Sequence, residues 1–165
     1  MIYWTLFQHN DWRFIVAATE QGLCFTGSDG KDEHELLEWA SKRRKGQRIE
    51  RNDEKMKPYI KQFQEYFDGE RISFEMPLDL KGTDFQQQVW QVLREIPFGQ
   101  TQCYSDIALA INNPKAVRAV GTAIGANPVM VIVPCHRVIG KDGSLTGFRG
   151  GLPMKQRLLQ LEGKK

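Results

Sequence analysis

The run Ser105-Asp106-Ile107-Ala108-Leu109-Ala110-Ile111, then Asn112-Asn113-Pro114, then Lys115-Ala116-Val117-Arg118-Ala119-Val120-Gly121-Thr122-Ala123-Ile124-Gly125-Ala126, reads as two short helices joined by a tight turn. Asn113-Pro114 is a start signal for the second: asparagine caps the free N–H groups of a first turn, and proline, having no N–H to lose, suits the first helical position. At about 100° per residue Val117, Val120 and Ile124 share one face and are expected to be buried, with Lys115, Arg118, Ala119, Thr122 and Ala126 opposite. The pair suggests a helix-turn-helix. A helix that reads bases in the major groove offers several long polar side chains, and this one offers few. Its small residues Ala119, Gly125 and Ala126 let a backbone come close, which suits a narrow minor groove and contact largely independent of sequence. Packing against another protein helix is the plainer use of the same residues.

Upstream, Thr83-Asp84-Phe85-Gln86 reads as a capping box that opens a helix with Phe85, Val89, Trp90, Leu93 and Ile96 as its buried stripe. Trp90 is expected in the core, and Ile96-Pro97-Phe98-Gly99 stops the helix. Pro77 to Gly82 reads as a linker. Before it, Trp12 to Ala18 and Leu23 to Thr26 look like strands, with Met1 to Phe7 pairing beside them. Asp32 to Lys45 and Glu54 to Phe67 look like helices, the second with Tyr59, Ile60, Phe63 and Phe67 at helical spacing, and Arg71 to Met76 is expected to return as a strand. Lys42-Arg43-Arg44-Lys45 reads as a solvated helix end. The fold class is therefore α+β: a small N-terminal sheet-plus-helix domain at 1–76, a linker at 77–82, and a mostly helical domain with a helix-turn-helix at 83–165.

The net charge of +3 over 165 residues does not by itself announce a nucleic-acid binder. Its distribution is more informative. Residues 1–80 hold 12 basic and 15 acidic side chains, whereas 81–165 hold 11 basic and 5 acidic. The basic surface thus sits on the half with the paired helices, where phosphates would be met. Cys24, Cys103 and Cys135 form no even framework, which suggests free thiols in a reducing compartment. With neither a secretory signal nor a membrane-length apolar run, a cytoplasmic protein without membrane attachment is expected.

Val129-Met130-Val131-Ile132-Val133 reads as a buried strand running into Pro134-Cys135-His136-Arg137. A thiol there is held rigidly, and an imidazole that takes its proton makes it a strong nucleophile. Successive strand side chains point to opposite faces, so His136 would not touch Cys135 unless the chain turns at Pro134 or a water carries the proton. The other reading is a packing cysteine beside a core histidine.

Arg118-Ala119-Val120-Gly121, Asn127-Pro128, Pro134-Cys135-His136-Arg137-Val138, Gly147-Phe148, Gly150-Gly151-Leu152 and Leu158-Leu159-Gln160-Leu161-Glu162, in this order, closely resemble the O6-alkylguanine-DNA alkyltransferases. Thr83, Phe85-Gln86, Val89-Trp90 and Ile96-Pro97-Phe98-Gly99 fit the same family. The resemblance covers roughly Lys81 to Gly163, and through it the first domain is expected to be ribonuclease-H-like. It implies single-turnover transfer of the alkyl group of O6-alkylguanine, and of O4-alkylthymine, from double-stranded DNA to Cys135. By the same resemblance His136 withdraws the thiol proton, Glu162 orients the imidazole, and Tyr104 donates to the extruded base. Asn127 is the hinge of the active-site segment. Arg118 fills the space left by the flipped nucleotide, and Thr83, Gln86, Lys115, Ala119, Thr122 and Ala126 meet DNA. Met130, Pro134, Val138, Phe148 and Arg149 form the pocket, with phenylalanine where many relatives have tyrosine.

No cofactor is expected, and no zinc, because His9, Cys24 and His34 are too sparse for a four-ligand set. A monomer is expected. Three other classes share part of this pattern: a non-reacting lesion sensor, disfavoured by the presence of Cys135; a DNA-binding regulator, disfavoured by the small-faced helix; and a cysteine hydrolase, which would not need Arg118.

Overall fold

The computed structural model describes residues 1–163 and divides into two compact units, Met1–Leu80 and a second that begins at Lys81. In the first, β1 (Ile2–His9), β2 (Trp12–Thr19), β3 (Gly22–Thr26) and β4 (Ile49–Arg51) form one sheet in the order β3-β2-β1-β4. The first three are antiparallel, and β4 joins β1 in parallel. Strand alternation buries both faces. Ile2, Ile15 and Ala17 pack with Leu36 and Ala40 of α1 (Glu33–Arg43). The opposite set, Phe7 and Phe14, stacks on Phe63 and Phe67 of α2 (Asp53–Phe67). Both helices carry side-chain caps, Asp32 accepting from the His34 N–H and Asn52 from the Lys55 N–H.

Three expectations fail here. Arg71 to Met76 is not a strand: Gln62 on α2 bonds the N–H and C=O of Glu75, and Arg71 folds back onto Glu65. Side chains thus satisfy backbone that a ladder would otherwise use. The added strand is β4, too short and polar to signal itself. Arg44 is not part of a solvated end. It is buried against Asp79, with its guanidinium 3.0 Å from the carboxylate, and Thr19 donates to the same carboxylate at 2.6 Å. Pro77 to Asp79 is no free linker but runs along β3, with the Leu23 N–H on the Pro77 carbonyl and the Asp79 N–H on the Leu23 carbonyl. Gly22 is required there, because a Cβ would lie 2.5 Å from the Pro77 main chain.

The second unit holds α3 (Asp84–Arg94), β5 (Gln102–Cys103), α4 (Tyr104–Ala110), α5 (Val117–Gly125), β6 (Val138–Ile139) and α6 (Leu152–Leu161). Both halves of the capping box at Thr83 and Gln86 form, and Trp90 is buried with its indole N–H on the Ala123 carbonyl of α5 at 2.9 Å. Asn113-Pro114 does not start α5. The Asn113 carbonyl instead accepts the Ala116 N–H, and the helix begins after that turn. Val120, Ala123 and Ile124 are its buried face. Val117, expected inside, is 38% exposed because it lies in the first turn, past the packed surface.

Candidate active site

The apolar run after α5 is a buried turn, not a strand. Asn127 organises it: its side-chain oxygen accepts from the Val129 N–H at 2.9 Å and its amide donates to the Val133 carbonyl at 2.8 Å. The Val133 N–H closes onto the Val129 carbonyl, and Val131 takes φ 77, a conformation a β-branched residue adopts only where its surroundings impose it. The sequence reads as a strand because an apolar run looks the same whether its polar backbone is satisfied by a ladder or by one buried asparagine.

Cys135, His136 and Arg137 then form a single 3-10 turn, which removes the difficulty of opposite strand faces. His136 Nε2 lies 2.8 Å from Glu162, just past α6, and Arg137 grips the same carboxylate with Nε and one terminal nitrogen, each at 2.8 Å. Its other terminal nitrogen donates to the Ile96 carbonyl. All three side chains are buried. Burial opposes ionisation of Glu162, but the hydrogen bonds from His136 and Arg137 outweigh it and hold the carboxyl far below its usual range. Glu162 is therefore an anion that accepts the Nε2 proton, leaving Nδ1 as the lone-pair nitrogen. Nδ1 is buried and has no hydrogen-bond partner among the described residues. Burial pushes the imidazole down, against the pull of Glu162. It also pushes the Cys135 thiol up, against the Asn127 amide and the charges of Arg149 and Lys155. The resting pair is thiol and neutral imidazole.

A cavity of about 420 Å³ opens onto Cys135, lined also by Tyr104, Gly121, Ile124, Gly125, Gly147, Phe148 and Arg149, which is enough for a purine. The Arg149 side chain reaches the Asn127 and Pro128 carbonyls at 3.3 and 3.2 Å. Gly150 lets the wall close, since a Cβ there would strike Met154 and the Phe148 ring. Met130, Pro134 and Val138, expected in the pocket, are buried outside its lining, because the folded turn draws them into the core. The Val138 carbonyl accepts Lys155 Nζ at 2.6 Å, and the Cys135 carbonyl accepts the Val138 N–H, so each keeps one lone pair. Sequence reading missed Gly121 as lining and Arg137 as the clamp on Glu162. The four-residue spacing of Gly121 and Gly125 on one helix was the available signal.

A second, open groove of about 620 Å³ is lined by Thr83, Phe85, Gln86, Lys115, Ala116, Arg118, Ala119, Thr122 and Ala123. Arg118 makes no ion pair or side-chain hydrogen bond among the described residues, and Ala119 and Thr122 are exposed. Ala126, past the end of α5, is half-buried and not part of this groove. Among the described residues no group of three or more His, Cys, Asp and Glu side chains could hold a metal ion, and no helix is long and apolar enough to cross a membrane.

Two family profiles match: 6-O-methylguanine DNA methyltransferase, ribonuclease-like domain, over residues 2–80, and its DNA binding domain over 84–164. The chain is 55% identical over 161 residues to the inducible methylated-DNA--protein-cysteine methyltransferase of Bacillus subtilis, covering 98% of this chain and 90% of that one. With the methylated-DNA--protein-cysteine methyltransferase of Methanosarcina acetivorans it shares 42% identity over 164 residues, covering 98% and 99%. The crystal structure of Mycobacterium tuberculosis OGT in complex with DNA superposes with a TM-score of 0.80 at 36% identity, covering 97% of this chain and 92% of that one.

Proposed function

The chain belongs to the O6-methylguanine DNA methyltransferase family, and on that premise we propose that it repairs duplex DNA by moving the alkyl group of O6-alkylguanine, and of O4-alkylthymine, onto Cys135. The observation that carries this reading is the buried chain Arg137–Glu162–His136 set behind a cysteine that faces a purine-sized cavity. A thiol raised by burial is a poor nucleophile until a base takes its proton. His136 Nδ1 is that base, reaching the thiol through one water, with Glu162 fixing the tautomer and Arg137 fixing Glu162. The Sγ–carbon bond forms as the carbon–O6 bond breaks. The electron pair goes to the purine, which takes up one proton for the one the thiol lost. Tyr104 donates to a ring nitrogen and so makes guanine a better leaving group.

The lesion is inside the stack and must be extruded, at a cost of a few kcal/mol in pairing and stacking. Arg118, exposed on α5 among small side chains, takes the vacated space. Ala119, Thr122 and Ala126 approach the minor groove, and Thr83, Gln86 and Lys115 meet phosphates; Gln86 spends its oxygen on the capping box but keeps its amide donors. Asn127 is the hinge between α5 and the reacting turn. Phe148 and Arg149 wall the base, and Met130, Pro134 and Val138 back the turn that carries the thiol. Residues 83–165 form the DNA-binding, alkyl-accepting domain, and the protein acts as a cytoplasmic monomer without a cofactor.

A thioether has no good leaving group, so each molecule acts once. With excess methylated duplex, the guanine restored within the DNA should plateau at one equivalent per protein, with the added mass on the peptide containing Cys135 and none restored by Cys135→Ser. Continued demethylation past one equivalent, or label on Cys24 or Cys103, would overturn the reading.

A further inference from the structure

Thr146 lies between β6 and α6, beside the Gly147–Arg149 wall of the cavity, and takes no part in the transfer as described. Its hydroxyl is 2.6 Å from the Tyr104 hydroxyl, and Tyr104 lines the cavity with Cys135. Its carbonyl is held by Lys155 Nζ at 3.0 Å, and that ammonium also bonds the Val138 carbonyl at 2.6 Å. Lys155 is fully buried on α6. A buried ammonium with carbonyl partners fixes both of them, because losing either leaves a desolvated charge short of an acceptor. The segment carrying Thr146 is therefore pinned to Val138, the residue that follows the 3-10 turn of Cys135, and this pin sets where the Thr146 hydroxyl stands.

Each hydroxyl has one proton, so within the pair one oxygen donates and the other accepts. Between the two hydroxyls alone either direction serves. An alkylated purine settles it: its ring nitrogens carry lone pairs and no proton, so Tyr104 must point its own proton at the base. Thr146 then has one way to keep the contact, which is to donate to the tyrosine oxygen. The result is a chain from the Thr146 hydroxyl to the Tyr104 hydroxyl to the purine nitrogen, and a donor that itself accepts a hydrogen bond donates more strongly.

We propose that Thr146 is a positioning residue for leaving-group activation: anchored by Lys155, it orients and polarises the Tyr104 hydroxyl toward the departing base. This rests on the reading that Cys135 takes its alkyl group from guanine. Three single variants, Thr146→Val, Thr146→Ser and Tyr104→Phe, together with the double variant that combines Thr146→Val with Tyr104→Phe, separate the possibilities. The readouts are the transfer rate from an O6-methylguanine duplex and the alkylation rate of Cys135 by iodoacetamide, whose iodide leaves without a proton. Tyr104→Phe should slow transfer by about a hundredfold. Thr146→Val should slow it by about tenfold, the worth of one hydrogen bond, and Thr146→Ser by less than about threefold. Thr146→Val should cost nothing further once Tyr104→Phe is present, and iodoacetamide should react with all variants at the wild-type rate. The proposal is overturned if Thr146→Val transfers as fast as wild type, if its loss persists in the Tyr104→Phe background, or if iodoacetamide slows in parallel, since that would mean a displaced thiol. Failure of the underlying reading is seen separately, as wild-type protein that takes no methyl group at all.

Discussion

The two units fill their interiors differently. In the first, Phe7, Phe14, Phe63 and Phe67 form a continuous cluster with Trp12, ring centroids 4.6 to 5.9 Å apart, and the buried charge among that unit's described residues is one pair, Arg44 with Asp79. The second buries Asn127, His136, Arg137, Lys155 and Glu162 within one short stretch of chain and α6. Aromatic burial is non-directional and removes large apolar areas from water, so it stabilises whatever geometry packs well. Buried charge does the reverse. It costs desolvation, is tolerated only with complete hydrogen bonding, and in return permits few arrangements. The first unit's core is therefore a source of stability, and the second unit's core holds a geometry.

Paired substitutions give the largest contrast. Phe63→Ala and Glu162→Gln should each cost about 3 to 5 kcal/mol, the first through a cavity and the second by leaving Arg137 short of its partner. At a temperature where both remain folded, only Glu162→Gln should slow alkyl transfer. Chemical denaturation with transfer kinetics measured on the same samples checks this, and an equal slowing in Phe63→Ala would dissolve the distinction.

Alkylation itself should give a smaller effect of the same kind. A methyl group added to the Cys135 sulfur must fit beside a closely packed turn, and overpacking of this sort costs about 1 to 3 kcal/mol. The alkylated protein should melt lower, with faster hydrogen exchange in α5 and the 129–133 turn and unchanged exchange in β1 and β2. Unchanged melting would show that the cavity absorbs the group without strain.

Acid provides the finest test. The imidazole of His136 is depressed below its ordinary value of 6.5, so it stays a neutral base when an exposed histidine would be charged. Transfer should fall less from pH 7.5 to 6 than the about fourfold that an unperturbed histidine would lose. Stability carries the same sign. Below pH 6.5 the unfolded chain takes a proton on His136 that the fold resists, and below about 4.5 it takes one on Glu162, so stability falls with pH in both windows. The raised thiol acts oppositely: its contribution is complete below the ordinary thiol range and is lost as pH rises through the raised value. A transfer profile with a midpoint at about 6.5 would show an imidazole open to water.

Much of this was legible because it is local. Asp32 and the Thr83–Gln86 box announce helices through side chains that bond their own first turns, and the Pro134-to-Arg137 motif singles out the thiol that lines the cavity. What stayed hidden depends on partners far along the chain. Arg44 looks like surface charge until Asp79 is placed beside it, and Arg137 looks like one more basic residue until Glu162 arrives from α6. Val131 marks a different limit. Its left-handed backbone sits in a sequence that favours extension, and the asparagine that overrides this preference lies four residues upstream.

The carbonyl of Val133 accepts both the Asn127 amide and, at 2.7 Å, the N–H of Cys135. A carbonyl has two lone pairs, and here both are taken. One oxygen atom is thus the junction between the cysteine that, on the proposed function, takes the alkyl group and the asparagine that follows α5. No long relay is needed for α5 to register a change at the sulfur. Any shift of the Cys135 backbone pulls on an acceptor that Asn127 already holds, so on the proposed function an alkylated molecule would carry the mark of its reaction at the surface that met the DNA.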